Sequence, residues 1–290
     1  MKDFIYKSVQ LGKNPSYAQG AGGNSSIKVG NRLFIKASGY RMKEMKKDYG
    51  IACCDYKKII KYLETKEKFK SKDADEYMNA VSSSVVKSAT YGLPSMETGM
   101  HAALPSKYVF HLHSVYANIF NCMKYGKLHL KKILPKNKYI VVDFVNPGYE
   151  LAYLLKKHKR KIPSIIFLKN HGIVVHGNSL NSCMNLIDII NKKIIGYLTE
   201  KNVYKEFTID KNLQKMNNHL FPDSVVFSTV NITKLNEQKK ESYQEIMSAC
   251  KYLTGMIKKL NAKPTYIDKK NVDLILNMKQ EKHRLKIFNT

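Results

Sequence analysis

Residues 108–117, YVFHLHSVYA, set two histidines one residue apart inside a run that otherwise reads as a buried strand. Side chains alternate along a strand, so His111 and His113 share one face, with Cα atoms about 7 Å apart. A core-facing pair of imidazoles leaves several ring nitrogens to satisfy in apolar surroundings. Two rings at this spacing can also converge on one ion. Whatever sheet forms here must provide polar partners or a cation at that face.

Strands and helices alternate on either side of this strand. The Gly-rich segment at 20–39, GAGGNSSIKVGNRLFIKASG, holds two short alternating strands separated by a Gly-Asn turn. A helix is expected over 75–91, with Asp73 and Asp75 as candidate caps. Leu93-Pro94-Ser95 then breaks the chain, and METGMHAAL opens a new helix near Ser95. VYANIFNCMKYG reads as a helix ending at Gly126. YIVVDFV is a further strand, followed by the helix YELAYLLKKHKRK. SIIFLKNHGIVVHG reads as two strands joined at Asn170-His171-Gly172, and a helix over 179–199 follows. Several strand pairs are joined too tightly for a crossover, which favours a mixed or largely antiparallel sheet flanked by helices. Beyond about residue 225 the Lys- and Asn-rich chain offers two helices, EQKKESYQEIMSACKYLTGMIKKL and VDLILNMKQEKHRLK. They are expected to close the fold by packing on the same core or on a neighbouring subunit.

Composition narrows the partners. The 290 residues carry a net charge of +27, yet only four of the 50 basic residues are arginine (Arg32, Arg41, Arg160, Arg284). Bidentate phosphate and base recognition favours arginine, and the lysines are spread along the whole chain, so no specific nucleic-acid partner is expected. The longest apolar runs fall far short of the ~20 residues of a membrane helix. The first ten residues lack the apolar core of a signal peptide. Five cysteines without a CxxC argue against a disulfide framework. The expectation is a reduced, cytoplasmic protein with no membrane partner.

His171, in a tight turn between two strands, is the candidate third ligand beside His111 and His113. Three neutral imidazoles suit zinc and leave a position for water or substrate. His176 competes for that place but is the less free of the two to move inward. Glu97, in the first turn of a helix, is either a helix-dipole residue or a carboxylate able to shuttle a proton beside a metal. His101, four residues on, shares its helix face and is either a partner that supports Glu97 or a packed histidine, the latter being the favoured reading. The loop GAGGNSS and the cluster ASG at 37–39 present backbone donors of the kind that hold phosphates, or simply join strands.

These elements occur together in a recognisable order. Through GGNSSIK (22–28), FIKASG (34–39), LPSMETGMHAALPSKYVFHLHSV (93–115) and IIFLKNHGIVVHG (165–177), the chain resembles the class II (zinc-dependent) aldolase/adducin family. The likeness is nearest to its rhamnulose-phosphate and fuculose-phosphate aldolase-like members. It implies an α/β fold, a three-layer α/β/α sandwich around a mixed, largely antiparallel sheet, assembled as a homotetramer. It implies a catalytic domain over 1–225 with 226–290 as a helical C-terminal segment. His111, His113 and His171 would hold Zn2+ or another divalent cation, and Glu97 would be the catalytic carboxylate. Asn24, Ser38, Gly39 and Ser95 would cradle the substrate phosphate. The implied reaction is reversible C–C bond cleavage of a phosphorylated ketose, a lyase reaction through a metal-stabilised enediolate. Epimerisation, decarboxylation or dehydration of a sugar phosphate on the same scaffold, and a non-catalytic adducin-like scaffold, are the alternatives. One departure is Met96, which stands where fuculose-phosphate aldolase has a second serine. The family's C-terminal tyrosine has no clear counterpart among Tyr243, Tyr252 and Tyr266.

Overall fold

The computed structural model of the protein describes residues 1–70, 73–158, 161–211, 213, 219–282 and 285. These residues form one sheet of seven strands: β1 (Asn24–Val29), β2 (Arg32–Lys36), β3 (Ile51–Asp55), β4 (Tyr108–Leu112), β5 (Tyr139–Val142), β6 (Ile165–Leu168) and β7 (Gly172–Gly177). Their spatial order is β3-β2-β1-β4-β7-β6-β5. Every neighbouring pair is antiparallel except β5 and β6. The mixed, largely antiparallel sheet expected from the short connections is therefore the one that forms.

The helices are α1 (Lys2–Lys13), α2 (Tyr56–Thr65), α3 (Ala74–Ser83), α4 (Thr98–Ala103), α5 (Val115–Asn121) and α6 (Gly126–Ile133). They continue with α7 (Tyr149–Lys156), α8 (Leu180–Glu200), α9 (Pro222–Ser228), α10 (Glu237–Lys259) and α11 (Lys269–Asn277). Alternation along the strands divides them between two faces. Phe110 and Leu112 of β4 join the main core with Phe4 of α1, Ile119 of α5, Ile187 of α8 and Ile246 of α10. Val109 of β4 and Val174 of β7 face the other way, against Met100, Leu151 and Leu155 of α4 and α7. His111 and His113 therefore lie on the α4 side. No helix among the described residues is long and apolar enough to cross a membrane.

Three helices, α3, α5 and α7, end earlier than their sequence patterns suggest, α7 at Lys156. α3 stops at Ser83 because the chain beyond it is drawn onto the sheet edge, where Asp55 N donates to Ser84 O and Val86 N to Cys53 O. α5 stops at Asn121, and Gly126 opens α6 instead of closing α5. The intervening chain is held by residues 263–265, with Lys124 N donating to Lys263 O and Thr265 N to Cys122 O. α11 is interrupted rather than cut short: Met278 is extended, and the chain is helical again over 279–282. Tertiary hydrogen bonds override the local helical preference at the first two. Of the expected helices, residues 159–160 of one and residues 283–284 and 286 of the last lie outside the described residues.

α10 also braces the glycine-rich loop. Its Glu245 accepts from Gly20 N at 2.7 Å and pairs with the buried Arg41, which bonds Glu241 of the same helix at 2.7 Å. α10 thus packs on the main core and steadies the loop that leads into the site described next.

Candidate metal centre

β4 runs in the middle of the sheet, with His111 opposite Asn24 of β1 on one side and Val174 of β7 on the other. His171 arrives from the β6–β7 turn. That turn is possible because Asn170 adopts a left-handed conformation (φ 50°), which asparagine tolerates better than most residues. Asn118 Nδ2 donates to His171 O at 3.1 Å, and Asn121 Nδ2 to Gly172 O at 2.8 Å. The three rings meet: His113 Nε2 lies 3.2 Å from His111 Nε2, which lies 3.3 Å from His171 Nε2. All three are buried and could hold a metal ion. His176 is not among them. It is held by Ser106 Oγ at 2.8 Å and Pro163 O at 3.0 Å.

Glu97 sits at the residue that starts α4 and points into the same space. Its Oε1 lies 3.4 Å from His171 Nε2 and 3.6 Å from His111 Nε2, and it accepts no hydrogen bond among the described residues. Burial lowers His111 to about 4 and His171 to about 3, so both rings are neutral at pH 7. Burial by itself would push the Glu97 carboxyl up. In the acid range where the carboxyl titrates, positive charge on the neighbouring imidazoles, that of His111 first, together with the Asn24 hydrogen bond outweighs burial and holds the carboxyl at about 2. Several lone pairs thus converge on one buried point. A single proton shared between two of these atoms leaves the others facing each other unsatisfied, whereas a divalent cation satisfies them together. Two nitrogens on a tetrahedral zinc at ~2.0–2.1 Å would stand about 3.3–3.4 Å apart, close to the spacing found. The donor set fits the ion.

A chain of polar groups backs Glu97. Asn24 Nδ2 donates to Glu97 Oε2 at 2.7 Å, and Asn24 Oδ1 accepts from His101 Nε2. His101 Nδ1 in turn accepts from Ser26 Oγ at 2.7 Å. His101 is therefore not a packed apolar surrogate but a hydrogen-bonded link, two steps from the carboxylate. The strand register explains it: Asn24 and Ser26 point to the α4 face, where His101 follows Glu97 by one helical turn.

Asn24, Ser38, Gly39 and Ser95 line one cleft of about 60 Å³ together with Glu97, His113 and His171. Asn24 is engaged with Glu97, and Ser95 Oγ accepts from Glu97 N at 3.2 Å. Gly39, at φ 81°, has open space where a side chain would be. Met96 lines the same cleft. None of Tyr243, Tyr252 and Tyr266 does. Sequence reasoning missed Lys36, Asp223 and Glu281, which also line it. Lys36 Nζ donates to Tyr40 O at 2.7 Å and Ala21 O at 3.0 Å, bringing a buried cation to the cleft wall. Its signal was present, since a lysine closing the otherwise apolar run LFIK invites a reason.

Residues 5–194 match the sequence pattern described as the Class II Aldolase and Adducin N-terminal domain. The chain belongs to the class II aldolase and adducin family. Among curated proteins, the uncharacterized oxidoreductase YuxG of Bacillus subtilis is 23% identical over 214 residues, 69% of this chain and 30% of that protein. The chain thus spans less than a third of the length of that relative. The N-terminal class II aldolase domain of a conserved protein from Thermoplasma acidophilum superposes with a TM-score of 0.57 at 22% identity, covering 67% of this chain and 92% of that one. A sugar-phosphate aldolase from Thermotoga maritima gives a TM-score of 0.48 at 17% identity, over 71% of this chain and 98% of that one. The sheet and its flanking helices are the class II aldolase fold.

Proposed function

We propose that the chain is a metal-dependent aldehyde-lyase that cleaves a phosphorylated ketose reversibly between two carbons. The observation that carries this reading is the buried meeting of three histidine Nε2 atoms, two of them beside a Glu97 oxygen that accepts no hydrogen bond among the described residues. His111, His113 and His171 would hold the ion, with zinc favoured by three imidazoles. When bound, a divalent cation supplies Lewis-acid stabilisation of the negative charge that develops on the enediolate oxygens. Everything else is the work of side chains. Glu97 Oε1 exchanges a proton with the carbon beside the carbonyl, and Asn24 holds Oε2 so that Oε1 faces the substrate. Ser38, Gly39, Ser95 and Asn24 cradle the phosphate, and the Lys36 ammonium adds the positive charge that a dianion requires. Burial of Glu97 and the histidines excludes bulk water and strengthens each interaction.

In this reading residues 1–225 are the catalytic unit, and 226–290 close it by bracing the glycine loop through Glu245. A homotetramer is the assembly proposed. The five cysteines are buried free thiols, in keeping with a reducing, cytoplasmic setting.

The deciding experiment supplies candidate ketose phosphates to the zinc-loaded protein and identifies products by mass spectrometry. Two fragments are expected. An isobaric product would assign an epimerase, loss of carbon dioxide a decarboxylase, and loss of water a dehydratase.

A further inference from the structure

We propose that Asp223 is a positioning residue for the metal ligand His113, and that Gly22 of the glycine loop is small in order to admit it; this rests on the metal reading above. Asp223 is the second residue of α9 and lies beyond the residues that match the family. Its Oδ2 stands 3.0 Å from His113 Nδ1, and both side chains are buried. His113 Nδ1 has no hydrogen-bond partner among the described residues, so the carboxylate stands off the line of the N–H and a small rotation of the ring would align them. A carboxylate at Nδ1 keeps the proton on that nitrogen. The lone pair is then left on Nε2, the atom 3.2 Å from His111 Nε2. The same pairing raises the basicity of the ring as a ligand and fixes its plane.

Two further observations place α9 here by construction. Asn170, which shapes the turn carrying His171, donates through Nδ2 to Leu220 O at 2.9 Å, just ahead of α9. Phe221 sets its ring 6.4 Å from that of His113. The segment entering α9 thus touches His113 and the turn residue next to His171. Gly22 completes the arrangement: a Cβ built there would collide with Asp223 Oδ2 and His113 Nδ1. Its small size leaves room for the carboxylate–imidazole pair, a role apart from any contact with phosphate.

The test is zinc affinity, measured by competition with a chromophoric chelator on full-length wild type, Asp223→Asn, Asp223→Glu and Gly22→Ala, with Co2+ absorption spectra as a second readout. Asp223→Asn should keep one site per chain but bind zinc about 10–100-fold more weakly, with Asp223→Glu recovering part of the loss. Gly22→Ala should weaken binding in the same direction and carries the test should Asp223→Asn fail to fold. Wild-type affinity in Asp223→Asn, or a lowered Tm with zinc Kd and cobalt spectrum unmoved, overturns the proposal and leaves the metal reading standing. A wild-type chain that takes up no zinc overturns the metal reading and this inference with it.

Discussion

Asn24 Nδ2 donates to Glu97 Oε2 at 2.7 Å, so one oxygen of the carboxylate is held by the sheet and the other faces the histidines. The amide is itself oriented, because its Oδ1 accepts from His101. His101→Leu removes that donor and lets the Asn24 amide turn. A net hydrogen bond of about 1 kcal/mol predicts roughly a five-fold loss in kcat with KM little changed. Recovery in His101→Gln, which can still donate to Asn24, distinguishes orientation from packing. Steady-state kinetics of the three proteins check it.

Glu97→Gln keeps the shape of the side chain and removes its base. Exchange of the α-proton of dihydroxyacetone phosphate with solvent should slow by about 10²–10⁴-fold. Zinc content should persist, because the three imidazoles remain. NMR in deuterated buffer measures the exchange, and a wild-type rate in the variant would remove Glu97 from the mechanism.

Lys36 brings a cation to the cleft wall, and hydrogen bonds to charged groups are worth about 1.5–3 kcal/mol. Lys36→Met should therefore raise KM for a phosphorylated substrate by roughly 10–100-fold. The same substrate without its phosphate should be handled equally by both proteins. Equal losses for the two substrates would mean that Lys36 only holds the loop at Ala21 and Tyr40.

Burial lowers His101 to about 3, against about 6.5 for an unfolded chain. Between these values the unfolded state takes up a proton that the folded state refuses. Stability from this group is complete above about pH 6.5 and falls by roughly 1.4 kcal/mol per unit as the pH drops below it. His101→Gln lacks that slope. In urea unfolding of the metal-free proteins, the wild type's advantage over His101→Gln should shrink by about 1 kcal/mol between pH 6.5 and 5.5. A constant difference would show that the folded ring takes up its proton over the same range as the unfolded one.

What could be read from the sequence was local. Alternation put His111 and His113 on one face, Asn170-His171-Gly172 marked a hairpin turn, and Pro94-Ser95 marked the helix start that carries Glu97. The mixed sheet followed from connections too short for crossovers. Asp223 could not be read, because it meets His113 across 110 positions and its own surroundings, FPDSVVFS, show only a helix start. Glu245 joins Arg41 across 204 positions, and helix pattern alone does not reveal a bond to the glycine loop. α3 and α5 ended early for the same reason: distant backbone captured the chain where local propensity favoured helix. His101 was read as packing because i, i+4 spacing shows a shared face but not the Asn24 that bridges it to Glu97.

We propose that three imidazoles, from the C-terminal end of β4 and from the β6–β7 turn, bind one divalent cation. The direct measurement is metal content after dialysis against zinc, by mass spectrometry of the elements, for wild type and His171→Ala. About one zinc per chain is expected in the wild type and loss of most of it in the variant, with the fold retained by circular dichroism. A wild type without zinc, or a variant that keeps its full complement, would contradict it.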